Sequence, residues 1–185
     1  MKKLILCLLC AYGFAFDSKP WLDPIFETQF RLSYTYQFYN HIKTSKGSMR
    51  LKTKDNYFDA SLAMTVWPDI EIGLFLSAVK TSRKALFLDS FQALVKYQLL
   101  DDCVGDFVSF TLFGKLIAPY KRAIKNFGRF YHSFFEGVVG FSVGKEFSKG
   151  ARFTNRLWFS LGLGIPNRGS AYSIGQFEWE YNIKD

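Results

Sequence analysis

Hydrophobic residues recur along this chain at every second position. Between Phe26 and Phe38 the even positions read Phe, Thr, Phe, Leu, Tyr, Tyr, Phe, and the odd positions read Glu, Gln, Arg, Ser, Thr, Gln. A period of two belongs to an extended strand with one apolar face, whereas a helix would mix the two sets. The stretch outruns the ~5–6 residues of a usual globular strand and suits a tilted bilayer crossing.

The alternation returns down the chain. Phe58, Ala60, Leu62, Met64 and Val66 interleave with Asp59, Ser61, Ala63 and Thr65, and Ile70, Ile72, Leu74, Leu76 and Ala78 follow a tight Trp67-Pro68-Asp69 turn. Further runs are Phe91 to Leu99, Val108 to Phe113, Arg156 to Leu163 and Gln176 to Ile183. The run with Phe135, Val139, Phe141 and Val143 is less regular, because Phe134 and Val138 take the other face. Eight strands are therefore expected.

Short connections are expected at 67–70, 100–106 and 144–152, and longer ones at 40–56, 80–86 and 116–132, with a modest one around Pro166 to Gly169. Short turns at one end and longer loops at the other are the habit of outer-membrane barrels, with the short turns in the periplasm. Composition agrees. Aromatic residues make up 19% of the chain and Phe supplies 21 residues, more ring surface than a soluble domain of this size readily buries. No apolar stretch after residue 16 approaches the length of a membrane-crossing helix. The fold class expected is an all-β, antiparallel, up-and-down transmembrane β-barrel.

Lys2 and Lys3 precede an apolar run from Leu4 to Phe16, and Gly13 and Ala15 supply the small-x-small pattern for cleavage after Ala15. Residues 1–15 thus read as a signal peptide and 16–185 as the barrel domain. Cys7 and Cys10 leave with the signal, so the mature chain keeps Cys103 alone and no internal disulfide framework is expected.

The formal net charge is +8, and its distribution follows the expected ends. Lys52, Lys54, Arg83, Lys84, Lys121, Arg122, Lys125 and Arg129 fall in the longer connections, as do Lys43, Lys46, Arg50, Lys80 and Arg168, with Asp55 the one acid among them. A basic outer rim is expected, suited to the phosphates of lipopolysaccharide or to anionic glycans. Asp69, Asp101, Asp102 and Asp106 gather at the opposite end, although Lys145, Lys149 and Arg152 mix its sign. Export argues against nucleic acid as the partner of the basic rim.

Facing inward are the basic Arg31, Lys96, Lys115 and Arg156 and the acidic Asp59, Glu71, Glu136, Glu178 and Glu180. In a narrow barrel such charges pair and plug the lumen, whereas in a wide one they line a pore. The inward glycines Gly140, Gly144, Gly162 and Gly164 are expected to let side chains such as Arg31 or Trp158 cross the lumen. No metal or cofactor is expected. His41 and His132 lack nearby ligand partners, and Asp101, Asp102 and Asp106 are not spaced as a calcium loop. His132 and Ser133, with Glu136 close by, would suit acyl transfer only if they shared a face, and adjacent residues on an extended chain do not. No catalytic residue is therefore assigned.

The opening strand from Phe26 to Tyr39, the Trp67-Pro68-Asp69 turn and the Asp101-Asp102-Cys103-Val104-Gly105-Asp106 turn resemble a family of outer-membrane barrel proteins of Gram-negative, obligate intracellular bacteria. The resemblance spans the expected mature chain. It implies the fold, the outer membrane and its assembly machinery as partner, and it carries over no catalytic residue. Barrels of that membrane typically finish on Phe or Trp, whereas this chain reads Ile183-Lys184-Asp185. Either an atypical eight-stranded barrel or the first part of one with about twelve strands is expected. The functional expectation is a porin-like or structural envelope protein. Its alternatives are a secreted lipocalin-like binding barrel with the apolar face inward, and an outer-membrane lipid-modifying enzyme.

Overall fold

Strands form where the alternation lies, and they run longer than it does. The computed structural model describes residues 18–44, 47–82, 84–124, 133–149 and 153–183; the expected signal peptide, 1–15, lies outside them. The strands are β1 (Thr28–Thr44), β2 (Gly47–Trp67), β3 (Ile70–Thr81), β4 (Lys84–Leu100), β5 (Ser109–Pro119), β6 (Glu136–Lys149), β7 (Phe153–Pro166) and β8 (Tyr172–Ile183). Each pairs antiparallel with the next, in the order β1-β2-β3-β4-β5-β6-β7-β8. The all-β, up-and-down architecture is as expected. The sheet curls into a half-barrel, and among the described residues its edges, β1 and β8, are not paired with each other.

Burial follows the two-residue period, most regularly along β5, where every second residue from Ser109 to Pro119 is buried. The concave face holds the core cluster of Leu94, Phe113, Ile117 and Val138, with Phe75 packed against it. Polar and charged residues, among them Thr65, Glu71, Lys96, Thr111 and Glu136, are also buried there. The convex face carries Phe30, Leu32, Leu74, Phe91, Leu116, Val139, Leu163, Phe177 and Trp179, all exposed. Exposure of 70% at Leu32 and 67% at Trp179 marks a face that no part of the described chain covers.

The connections differ from expectation. β1 and β2 stay paired to Thr44 and Gly47, and β3 and β4 to Thr81 and Lys84, so the supposed loops at 40–56 and 80–86 are mostly hairpin arms. The main-chain ladder is indifferent to side-chain polarity, so it continues after the apolar alternation stops. The 144–152 turn likewise shrinks to the interval between Lys149 and Phe153. One end, here called lower, has the connections 68–69, 101–108 and 150–152, and the other has 45–46, 82–83, 120–135 and 167–171. Only at 120–135 is an upper connection long. Asp55, expected on the rim, instead points into the concave face, where it is fully buried and accepts a hydrogen bond from Thr53 Oγ1 at 2.7 Å.

The inward glycines make room for adjacent strands and, at Gly144, for the segment before β1, rather than for Arg31 from across the lumen. A Cβ at Gly140 would lie 2.5 Å from Phe113 Cζ and 2.7 Å from Gly162 Cα, and one at Gly144 would lie 2.7 Å from Pro20 Cγ and 2.8 Å from Trp21 Cη2. Arg31 has no part in this packing; it sits on the far edge strand. Gly140→Val is expected to destabilise the fold by about 1–3 kcal/mol through overpacking, read as a lowered urea midpoint of the refolded protein in detergent.

Candidate functional site

All the expected inward charges lie on the concave face, spread over the sheet: Arg31 on β1, Asp59 on β2, Glu71 on β3, Lys96 on β4, Lys115 on β5, Glu136 on β6, Arg156 on β7, and Glu178 and Glu180 on β8. Register brings some together. Glu71 is the cross-strand partner of Lys96, and their side chains meet at 2.9 Å with 2% exposure each. Such a pair offsets a desolvation cost that neither charge could bear alone. Arg156 Nε donates to Glu146 Oε2, likewise its cross-strand partner, at 2.7 Å. Ser77 Oγ donates to Asp59 Oδ1 at 2.5 Å, and the Lys115 ammonium lies 5.4 Å from the centre of the Phe75 ring. Arg31, Asp59, Glu71, Gln92 and Lys115 border a cavity of about 80 Å³, room for a few waters among polar partners.

The sequence reading missed the part of the site that precedes β1. Residues 18–25 do not lead straight into the first strand but enter the concave face at its lower end. Ser18 Oγ donates to Glu178 Oε1 and accepts from Trp158 Nε1, both at 3.1 Å. Thr111 Oγ1 donates to the Pro20 carbonyl at 2.5 Å, and Trp21 Nε1 donates to Asp102 Oδ1 at 2.7 Å. The Trp21 ring meets Trp158 edge-on, with centroids 5.8 Å apart and planes at 88°. The Arg156 guanidinium stands 5.2 Å from the Trp21 ring centre. Ile25 then bridges to Thr65 on β2, and Phe26, at φ 63°, turns the chain into β1. A signal was present in the sequence: Trp21 stands outside any alternating run, and an indole N–H needs a partner when buried.

Asp102 joins this segment to the wall. Besides Trp21, its carboxylate accepts from Ser109 Oγ at 2.5 Å and from the Glu146 N–H at 2.7 Å, and Lys145 Nζ lies 3.9 Å away. Burial pushes the Asp102 carboxyl up, but the bonds from Ser109, Glu146 and Trp21 and the charge of Lys145 outweigh it and hold it below its ordinary 3.8. Desolvation first, then the carboxylates of Glu146, Asp101 and Asp102, push the Cys103 thiol up to about 11. A thiol so placed is almost wholly protonated at neutral pH, and protonated thiols are poor nucleophiles.

The other carboxylates of the 101–106 turn serve its own main chain. Asp101 accepts from the Cys103 N–H at 2.9 Å, and Asp106 from the Asp101 N–H at 2.8 Å. At the upper end Glu136 accepts from the Ser133 N–H at 3.0 Å and from the Tyr172 hydroxyl at 2.8 Å, while Ser133 Oγ donates to the Phe135 carbonyl at 2.6 Å. Glu136 thereby ties the end of the 120–135 connection to β6 and β8. His132 lies outside the described residues.

Of the rim residues, Lys54, Lys84, Lys121 and Arg122 are exposed at the upper end. Lys84 Nζ donates to the Arg122 carbonyl at 3.4 Å, which links the start of β4 to the 120–135 connection. Lys52 lies on β2, within a hairpin arm. Arg83, Lys125 and Arg129 lie outside the described residues. Comparison with protein-family models, curated proteins and solved structures gives no match.

Removing one partner of the inward pair strands the other. Lys96→Met alone is expected to lower stability by about 3–5 kcal/mol, whereas Glu71→Leu with Lys96→Met restores it to near the parent or above, compared by urea unfolding in detergent. At Asp102 the depressed folded value gives the pH sign. Its contribution is fully present above the ordinary value near 3.8 and is lost as pH falls through the lower folded value. Tryptophan emission followed from pH 6 downward is expected to hold steady until about pH 4 and then shift red. Asp102→Asn is expected to remove that acid step.

Proposed function

We propose that this chain is an exported outer-membrane β-barrel protein, porin-like or structural, whose sheet stands in the bilayer. The observation that carries this reading is the distribution of side chains over the two faces. Large apolar residues cover the convex side from β1 to β8, and ionisable residues of both signs line the concave side. A continuous apolar face of this extent is foreign to a monomer in water, where contiguous patches rarely exceed a few hundred Å². Hydrocarbon is the solvent that suits it, with the polar face turned to a lumen. In that setting the main-chain groups of β1 and β8 need pairing partners in the membrane. The lower turns would face the periplasm and the basic upper end, with Lys54, Lys84, Lys121 and Arg122, would face lipopolysaccharide. The resemblance to outer-membrane barrels of Gram-negative, obligate intracellular bacteria fits the same reading.

A lipocalin-like binding barrel turns its apolar side chains inward. Here Phe30, Leu32, Phe177 and Trp179 point the opposite way, which favours the membrane reading over that alternative. In cell fractions the protein is expected to resist extraction by alkali and high salt and to be released by detergent; recovery in the soluble fraction would sink the proposal. Leu74→Arg, near the middle of β3 on the convex face, is expected to cost about 2–4 kcal/mol in lipid. Ser61→Arg, on the concave face, is expected to cost much less in the same vesicle unfolding assay.

A further inference from the structure

We infer that residues 18–25 are a plug strapped across the lower mouth of the half-barrel, and that undocking them opens the concave channel to small polar solutes. This rests on the porin-like reading above.

The strap is anchored on opposite sides of the mouth. Ser18 is held on β7 and β8 through Trp158 and Glu178, Trp21 on the 101–108 connection through Asp102, and Ile25 on β2 through Thr65. The chain from Ser18 to Ile25 reaches at most about 25 Å. The way round through the sheet from β8 to β2, at ~4.8 Å per strand, is about 29 Å. The segment therefore keeps to the inside of the curve, against β8, β7, β6 and β5, before it reaches β2 across the lower end of the concave face.

Its seat is prepared. Gly144 leaves the space that Pro20 and Trp21 occupy, and Ser18, Pro20 and Trp21 are buried. Its attachment is also separable from the wall. The β5 to β8 ladder is complete without it, and its grip on those strands consists of side-chain hydrogen bonds and ring contacts. The main-chain bond from the Phe26 N–H to the Thr65 carbonyl, 2.8 Å, lies at the far end, beside the left-handed turn at Phe26. The strap can thus leave β5 to β8 without breaking a strand pair, with Phe26 as the point about which it swings.

The test uses the full chain in planar bilayers, in a background with Cys7→Ser, Cys10→Ser and Cys103→Ser. Ser18→Cys with Glu178→Cys places two thiols within reach of a short bis-methanethiosulfonate reagent, which restores the length lost at position 178 and is released by reductant, and cross-linking is read on non-reducing gels independently of any conductance. The expected result is a tether that forms in the folded protein and holds the channel closed until reductant is added. Without the tether, Trp21→Ala shifts the docked-to-undocked ratio by roughly ten- to a hundredfold, the worth of a charge-assisted hydrogen bond and more, and raises the open fraction accordingly. Trp21→Phe, which keeps a ring but loses the N–H, falls between. Failure of the tether to form in protein with native circular dichroism overturns the docking. A tether that forms while parent, tethered and Trp21→Ala proteins conduct equally overturns the gating and leaves the pore reading intact. Silence in every variant, with the tether formed, overturns the pore reading and the gate with it.

Discussion

Consecutive side chains leave a strand on opposite faces, and the rest of this structure depends on that constraint. Every charge that turns inward sends its two neighbours outward, so a chain that alternates Leu or Phe with Ser, Asp or Lys builds two unlike solvents into one sheet. Asp59, Glu71, Lys96 and Lys115 stand on the concave face because Phe58, Ile72, Val95 and Leu116 stand on the convex one. The inward charges then need partners, and cross-strand register supplies them, as in Glu71 with Lys96 and Arg156 with Glu146.

The two ends of the sheet resolve a second demand, that connections satisfy their own polar groups. At the lower end the carboxylates of the 101–106 turn accept its main-chain N–H groups, and Asp102 reaches further, to β6 and to the segment before β1. At the upper end Glu136 does the equivalent for the 120–135 connection and Tyr172. These carboxylates hold the connections at both ends of the sheet. The same chemistry that closes the lower turn also seats Trp21, so the mouth and its strap share one anchor.

Legibility in the sequence followed the range of the interaction. The alternation from Phe26 to Phe38 and from Phe58 to Val66 gave strand identity and sidedness, because both are local properties of an extended chain. The 40–56 stretch misled, since pairing of β1 with β2 persists where apolar alternation stops and a ladder leaves no mark on side-chain type. Asp55 misled for the same reason: once its stretch is a strand, its parity turns it inward. The inward charges were legible residue by residue, but their pairing was not, because Glu71 meets Lys96 only through the β3–β4 register.

By itself, then, the sequence determined the number of strands, which residues share a face, and the unlike character of the two faces, all set by a two-residue period that needs no partner. Tertiary structure alone decided that the sheet curls with β1 and β8 as its edges, that Gly144 opens a seat, and that Ser18, Pro20 and Trp21 fill the lower mouth. Those outcomes join residues far apart in the chain, as Ser18 does with Glu178. Such contacts depend on the geometry of the assembled wall rather than on any local pattern.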